Sequence, residues 1–187
     1  MLAGGRAPMI RAAGAIADGL MGMPLCSPAF VEEVIRPMLA DAADRAGREQ
    51  PVPITGMTIC AVSENSTQAR ALAATQLAVF AAGASAAPLI AFHGFEAEVA
   101  GDPRGVRAGR HPGRGGRRLG PDARHAGRPR NTEGGMGFHG TPKEAWERFA
   151  ATFEGVYDEP LLFTAGKGMP KGGFEESLLG VCEAFGM

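Results

Sequence analysis

Two glycines close to the start of the chain, in Ala3-Gly4-Gly5, run directly into Arg6-Ala7-Pro8-Met9-Ile10, a helix start with proline at a tolerated early position. A glycine pair between a strand end and a helix N-terminus lets backbone N–H groups come close to an anion, and the helix dipole favours negative charge there. The chemistry these residues could do is phosphate binding; the same glycines also allow a tight turn that holds nothing. His93, beside Phe92 and Phe95, and His139, next to Phe138, could pass a proton to a bound group or pack as structural imidazoles. Asp18 suits the end of a helix and the amides of a turn better than the role of a base. Lys167 and Lys171 stand among glycines, but the loop lacks the GxxxxGK[ST] pattern of a phosphate-binding loop. Cys26, Cys60 and Cys182 are too widely spaced for a CxxC pair, and the four histidines form no cluster at metal-ligand spacing. No metal is expected, and the thiols read as reduced core residues of a cytoplasmic protein.

These residues need elements to position them. Met9, Ile10, Ala13, Ile16 and Ala17 share one face, which predicts an amphipathic helix from Ala7 to Ala17, and Leu20-Met21 between glycines reads as a short buried strand. A long helix is expected from Pro28 to Ala46: Ser27 can cap it, Glu32 and Glu33 suit its first turn, and Gly47 suits its end. Val31, Val34, Ile35, Met38, Leu39 and Ala42 form its apolar stripe, and Pro37 inside that stripe predicts a kink. Ile54 to Val62 reads as a buried strand of the parallel type. Asn65 with Gln68 resembles a capping box for an alanine-rich helix that ends at Gly83. Thr141-Pro142-Lys143-Glu144 is a capping box with proline at the first helical position, followed by Ala145, Trp146, Phe149 and Phe153. Pro160 to Thr164 reads as a short strand, Gly166 to Gly173 as a loop, and Leu178, Leu179, Cys182 and Phe185 as the core stripe of a last helix. Alternating helices and strands predict a parallel sheet covered by helices.

Residues 101 to 130 break the pattern, with nine arginines, eight glycines and four prolines and only Val106 and Leu119 as large apolar side chains. Such a stretch cannot bury a core, so disorder is expected. Arginine, glycine, proline and alanine are the residues whose codons can be built from G and C alone, and a compensated frameshift in a GC-rich gene would produce the same block. Arg114-Gly115-Gly116-Arg117-Arg118 also resembles arginine-glycine segments that track phosphate backbones, which makes a small α/β interaction module with a nucleic-acid-binding arm the alternative reading. The absence of any Phe, Tyr or Trp in the block argues against nucleic acid, because bases then have nothing to stack on. A net charge of -1 over 187 residues adds no argument for a nucleic-acid or membrane partner, and no apolar run approaches the roughly 20 residues of a membrane span.

The ordered combination of Ala3-Gly4-Gly5, the Ala-Gly-x-x-Ala-Asp-Gly run from Ala13 to Gly19, and the helix from Val31 to Gly47 with its Arg45-Ala46-Gly47-Arg48 ending resembles the luciferase-like monooxygenase superfamily. Within it, the chain resembles the bacterial oxidoreductases that use coenzyme F420, a deazaflavin. The resemblance runs from Met1 to about Glu98, resumes near Gly140-Thr141-Pro142-Lys143-Glu144 and continues through Glu159-Pro160-Leu161-Leu162 to the end.

The resemblance implies a (β/α)8 barrel that binds F420, or FMN as the alternative, at the C-terminal ends of its strands and moves hydride to or from a small-molecule substrate. It implies that Ala3, Gly4 and Gly5 hold the cofactor phosphate, while the catalytic residues stay unassigned. The chain is too short for a whole barrel, which needs about 250 residues. It corresponds to the C-terminal half, with parallel strands and a disordered Arg/Gly/Pro-rich insertion: residues 1–100 and 136–187 as barrel, 101–135 as the insertion or frame-shifted stretch. Such a partial barrel has open strand edges. It is expected to be inactive alone and to pair with itself as a homo-oligomer or with a complementing N-terminal chain.

Overall fold

Ile54–Val62 is buried along almost its whole length, so both faces of this strand must be covered by other elements. The computed structural model describes residues 1–95, 135–164 and 172–186. The arginine-rich stretch expected to be disordered and the loop with Lys167 and Lys171 lie outside the described residues. In chain order the elements are β1 (Leu2–Ala3), α1 (Ala7–Ile16), β2 (Leu20–Met21), α2 (Pro28–Phe30), a π-helical turn (Val31–Ile35), α3 (Arg36–Arg45), β3 (Ile54–Val62), α4 (Ser66–Ala81), a 3₁₀ turn (Ala84–Ala86), α5 (Ala87–His93), β4 (Gly137–Gly140), α6 (Pro142–Phe153), β5 (Glu159–Phe163) and α7 (Gly173–Phe185).

Every strand pairing is parallel. Leu20 pairs with Leu2 and Ile54, so β2 lies between β1 and β3. Thr55 has Met21 on one side and Glu159 on the other, and Ile59 has Gly137 and Phe163. β5 therefore follows one edge of β3, while β2 and β4 share the opposite edge, at its start and its end. β1, β2, β3 and β5 are four successive parallel strands, the repeat of a partial (β/α)8 barrel, and β4 is a short addition beside them.

The right-handedness of parallel crossovers then dictates where the helices go. The steps from β1 to β2, β2 to β3 and β4 to β5 advance in one direction and place α1, α3 and α6 on one face. The step from β3 to β4 goes backwards and places α4 on the other. Side-chain packing agrees, because paired residues of adjacent strands share a face. Phe138, paired with Cys60, meets Phe149 of α6 edge-on and Phe153 at a tilt. Ala61, on the opposite face, packs with Leu72 and Ala73 of α4, and Phe163 meets Phe80 of α4 edge-on at 5.3 Å.

Most helix starts form as their sequences predict. Ser27 Oγ accepts the Phe30 amide, Asn65 Oδ1 accepts those of Thr67 and Gln68, and Thr141 and Glu144 make the reciprocal capping box. Pro37 is accommodated by the preceding turn, whose π register lets the Arg36 amide reach back to the Val31 carbonyl. Tyr157 lies flat on Gly56, where an added Cβ would fall 2.1 Å from the ring, and its hydroxyl donates to the Cys26 carbonyl.

The last helix differs from expectation. α7 buries Gly173, Ser177 and Val181, while Leu178 and Leu179 point outward. Its small residues permit a close approach: a Cβ on Gly180 would come within 2.6 Å of Val62 Cγ1, and Ser177 Oγ accepts the Val62 amide. Trp146 is also largely exposed, although its ring contacts Phe149 and Phe185. Among the described residues no single helix is long and apolar enough to cross a membrane.

Candidate functional site

Parallel strands bring their C-terminal ends to one edge of the sheet, so Gly4, Gly22, Ser63, Gly140 and Thr164 all lie along it. Active sites of parallel α/β proteins form along that edge, because the loops there are free to vary while the sheet holds their ends. At β1 the chain leaves the strand through Gly4, whose amide donates to the Met21 carbonyl at 3.0 Å and whose φ is +155°. It then turns through Gly5 and Arg6 into α1, which has no side-chain cap. The amides of Gly5, Arg6 and Ala7 donate to no carbonyl or side chain among the described residues. Arg6 is exposed and makes no ion pair with a described carboxylate. A helix N-terminus with free amides and an adjacent guanidinium fits a phosphate.

The glycines have a packing role as well. A Cβ on Gly4 would come within 2.8 Å of Met9 Cγ, and one on Gly5 would meet Met23 Sδ at 3.1 Å and Leu89 Cδ1 at 3.3 Å. Gly5 is buried beneath these two side chains, while Ala3 is exposed at the end of β1. Met23 follows β2 and Leu89 belongs to α5, so the turn is roofed by residues from two later segments.

Of the other residues singled out from sequence, none shares this turn's hydrogen bonds. His93 is buried at the end of α5, with Nε2 at 2.9 Å from Ser27 Oγ and its ring against Phe92 and Phe95. Burial lowers its pKa, against a smaller opposing pull from Glu33. Its Nδ1 has no hydrogen-bond partner among the described residues. Asp18 is exposed just before β2, at the opposite edge of the sheet from the turn. Burial pushes the Cys26 and Cys60 thiols up to about 12, which removes them as nucleophiles near neutral pH. Among the described residues no group of three or more His, Cys, Asp or Glu side chains could hold a metal.

Sequence reasoning missed two features of the same sheet edge. Ser63 Oγ donates to Glu176 Oε1 at 2.6 Å and accepts the Asn65 amide, joining the end of β3 to α7. Ser66 Oγ donates to Glu144 Oε2, which also accepts the Thr141 amide, and these hydrogen bonds hold the Glu144 carboxyl down at about 2. The spacing of Thr141 and Glu144 signalled the cap, but nothing local announced Ser66, which reaches it from α4.

A luciferase-like monooxygenase family model matches residues 1–159. Among solved structures, the chain is similar to the coenzyme F420-dependent tetrahydromethanopterin reductase from Methanopyrus kandleri, with a TM-score of 0.59 and 17% identity over 96% of this chain and 48% of that one. It is also similar to an F420-dependent secondary alcohol dehydrogenase solved with an F420-acetone adduct, with a TM-score of 0.53 and 15% identity over 97% of this chain and 46% of that one. The chain thus spans about half the length of the structures it matches, and at these identities the likeness concerns the fold. No curated protein matches it. With the family model covering most of its length and its parallel strands following the order of a barrel, the chain belongs to the luciferase-like monooxygenase family.

Proposed function

We propose that the chain carries the phosphate-side part of the cofactor cleft of an F420-dependent oxidoreductase, with FMN as the alternative cofactor. The observation that carries this reading is the Gly4-Gly5 turn. It stands at the C-terminal end of a parallel strand, with the Gly5, Arg6 and Ala7 amides lacking acceptors among the described residues. Ala3, Gly4 and Gly5 supply backbone that a phosphate can approach, and Arg6 adds a neighbouring positive charge. The bound deazaflavin would supply hydride chemistry, while the protein supplies position and electrostatics. The two structural neighbours are F420-dependent by name, which favours F420 over FMN.

In the same reading, this chain binds the cofactor weakly and turns over poorly without a second half-barrel, supplied by another copy or by a complementing chain. Its length of about half that of the matched structures supports this.

Fluorescence titration tests the site. The full 187-residue chain should quench or shift F420 fluorescence saturably, and a deazaflavin lacking the phosphate-bearing side chain should bind at least about tenfold more weakly, the loss of a charge-assisted contact. Arg6→Glu should weaken F420 binding without altering the far-UV spectrum. Equal affinity for the two deazaflavins would overturn the phosphate assignment, and rapid turnover by the isolated chain would overturn the need for a second half.

A further inference from the structure

Among the described residues β4 pairs only with β3, and beside it α4 and α6 frame a cleft of about 590 Å³. Arg70 of α4, Gly137 and His139 of β4, and Glu147, Arg148 and Thr152 of α6 line it. The cleft lies apart from the glycine turn and shares no residue with it.

Its electrostatics are unbalanced. Arg148 Nη1 donates to His139 Nδ1 at 2.8 Å and to the His139 carbonyl. A guanidinium can only donate, and Nη1 lies nearer Nδ1 than Nε2, which it faces at 3.5 Å, so the arrangement favours a neutral imidazole with its proton on Nε2. Burial first, then Arg148 and Arg70, push the His139 pKa down to about 4, against an opposing pull from Glu144; both guanidiniums therefore act on the ring.

The carboxylates nearby are already engaged. Glu147 pairs with Lys143 at 3.8 Å, and Glu144 takes the Ser66 hydroxyl and the Thr141 amide. Neither Arg70 nor Arg148 has a carboxylate partner among the described residues. Two guanidiniums and a neutral N–H donor outnumber Glu147, the one carboxylate that lines the open cleft, and make the donor set of an oxyanion site.

We propose that this cleft binds a small tetrahedral oxyanion, inorganic phosphate or the phosphate of an organic monoester, between Arg70, His139 and Arg148. Arg70 supplies charge, Arg148 holds the imidazole in the tautomer whose Nε2–H can donate, and the neutral ring can meet the anion without adding a third cation.

Ring NMR of His139 in the full chain tests it, with inorganic phosphate and glycerol phosphate as separate probes at constant ionic strength. The expected result is a saturable shift of the His139 signals with at least one probe and a rise in the apparent pKa of His139 in its presence. Arg70→Gln should weaken binding by about tenfold, and Arg6→Gln, at the glycine turn, should leave it unchanged. Preference for the organic monoester would assign the cleft to a phosphorylated metabolite, and equal affinity to free phosphate. Arg70 is exposed and bonds to no described side chain, so its loss should leave the fold intact; Arg148→Lys, which keeps the charge but loses the fork, should release the tautomer and weaken binding as well. No response at His139, a response that chloride reproduces, or an unchanged affinity in Arg70→Gln would overturn the proposal.

Discussion

At the scale of residues, two histidines that look alike in the sequence sit in different surroundings. His93 shares a hydrogen bond with Ser27 and His139 lies under two guanidiniums, yet both have lowered pKa values and burial is the larger cause in each. The consequence for stability has a definite sign. An unfolded histidine takes up its proton near 6.5, whereas folded His139 does so near 4. Between those values the unfolded chain binds more protons than the folded one, so stability falls as pH drops through the window. His93 adds in the same direction. Glu144 extends the effect to lower pH, because its folded pKa of about 2 lies below its ordinary value, and the stability it contributes is lost as pH falls from about 4.5. Thermal unfolding followed from pH 7.5 to 4.5 should therefore show a steady fall in Tm. His139→Asn, whose side-chain oxygen can still accept from Arg148, should flatten the part of that fall between about 6.5 and 4.5. An unchanged slope in the variant would show that His139 titrates alike in the folded and unfolded chain.

At the scale of elements, α4 is the segment whose packing is least settled by its own sequence. It covers the sheet face opposite α1, α3, α6 and α7, and it buries Ala69, Leu72, Ala73 and Gln76. Gln76 is 4% exposed, and neither its Nε2 nor its Oε1 has a hydrogen-bond partner among the described residues. An unpartnered buried amide costs about 1–3 kcal/mol, whereas an apolar side chain of similar length costs nothing of that kind. Gln76→Met should therefore raise the unfolding free energy by about 1–2 kcal/mol in urea titrations; a loss of stability would mean that the amide is satisfied in solution. The placement of this helix marks where the sequence stops being informative. Caps at Ser27, Asn65 and Thr141 are local chemistry and could be read directly, as could β3 from its apolar run. β4 could not, because Gly137-Phe138-His139-Gly140 carries no alternation and forms only through its ladder with β3. That unseen strand reverses the direction of travel and sends α4 to the far face. α7 misled for a related reason: its two leucines suggested the buried side, but the glycines and serine decide the packing because they allow the helix to approach Val62. The glycine turn was legible, while Met23 and Leu89, which roof it, come from segments too distant for spacing to connect. The same holds for the oxyanion cleft, where Arg70 lies far along the chain from His139 and reads by itself as an ordinary solvated helix residue.

At the scale of the whole molecule, three strands have a free edge among the described residues, since β1 pairs only with β2, and β4 and β5 each pair only with β3. Unpaired edges of parallel strands are uncommon in closed barrels, where each strand has two neighbours. Two neighbouring helices also expose apolar side chains: α7 exposes Phe174, Leu178 and Leu179, the last at 69%, and Trp146 of α6 is exposed at 45% with its ring against Phe185. Exposed apolar side chains grouped on neighbouring helices mark sites of association. If the chain completes its barrel with a second half-barrel, a solution of the chain alone should offer only other copies for this surface. Sedimentation velocity should then show concentration-dependent self-association in the micromolar range, and Leu179→Lys should shift the distribution towards monomer without lowering the unfolding midpoint, because the leucine is already 69% exposed. The association should weaken little at high salt, since burial of apolar surface rather than charge drives it. A chain that stays monomeric at about 100 µM, or association that survives Leu179→Lys unchanged, would show that this face is not where a second half-barrel docks.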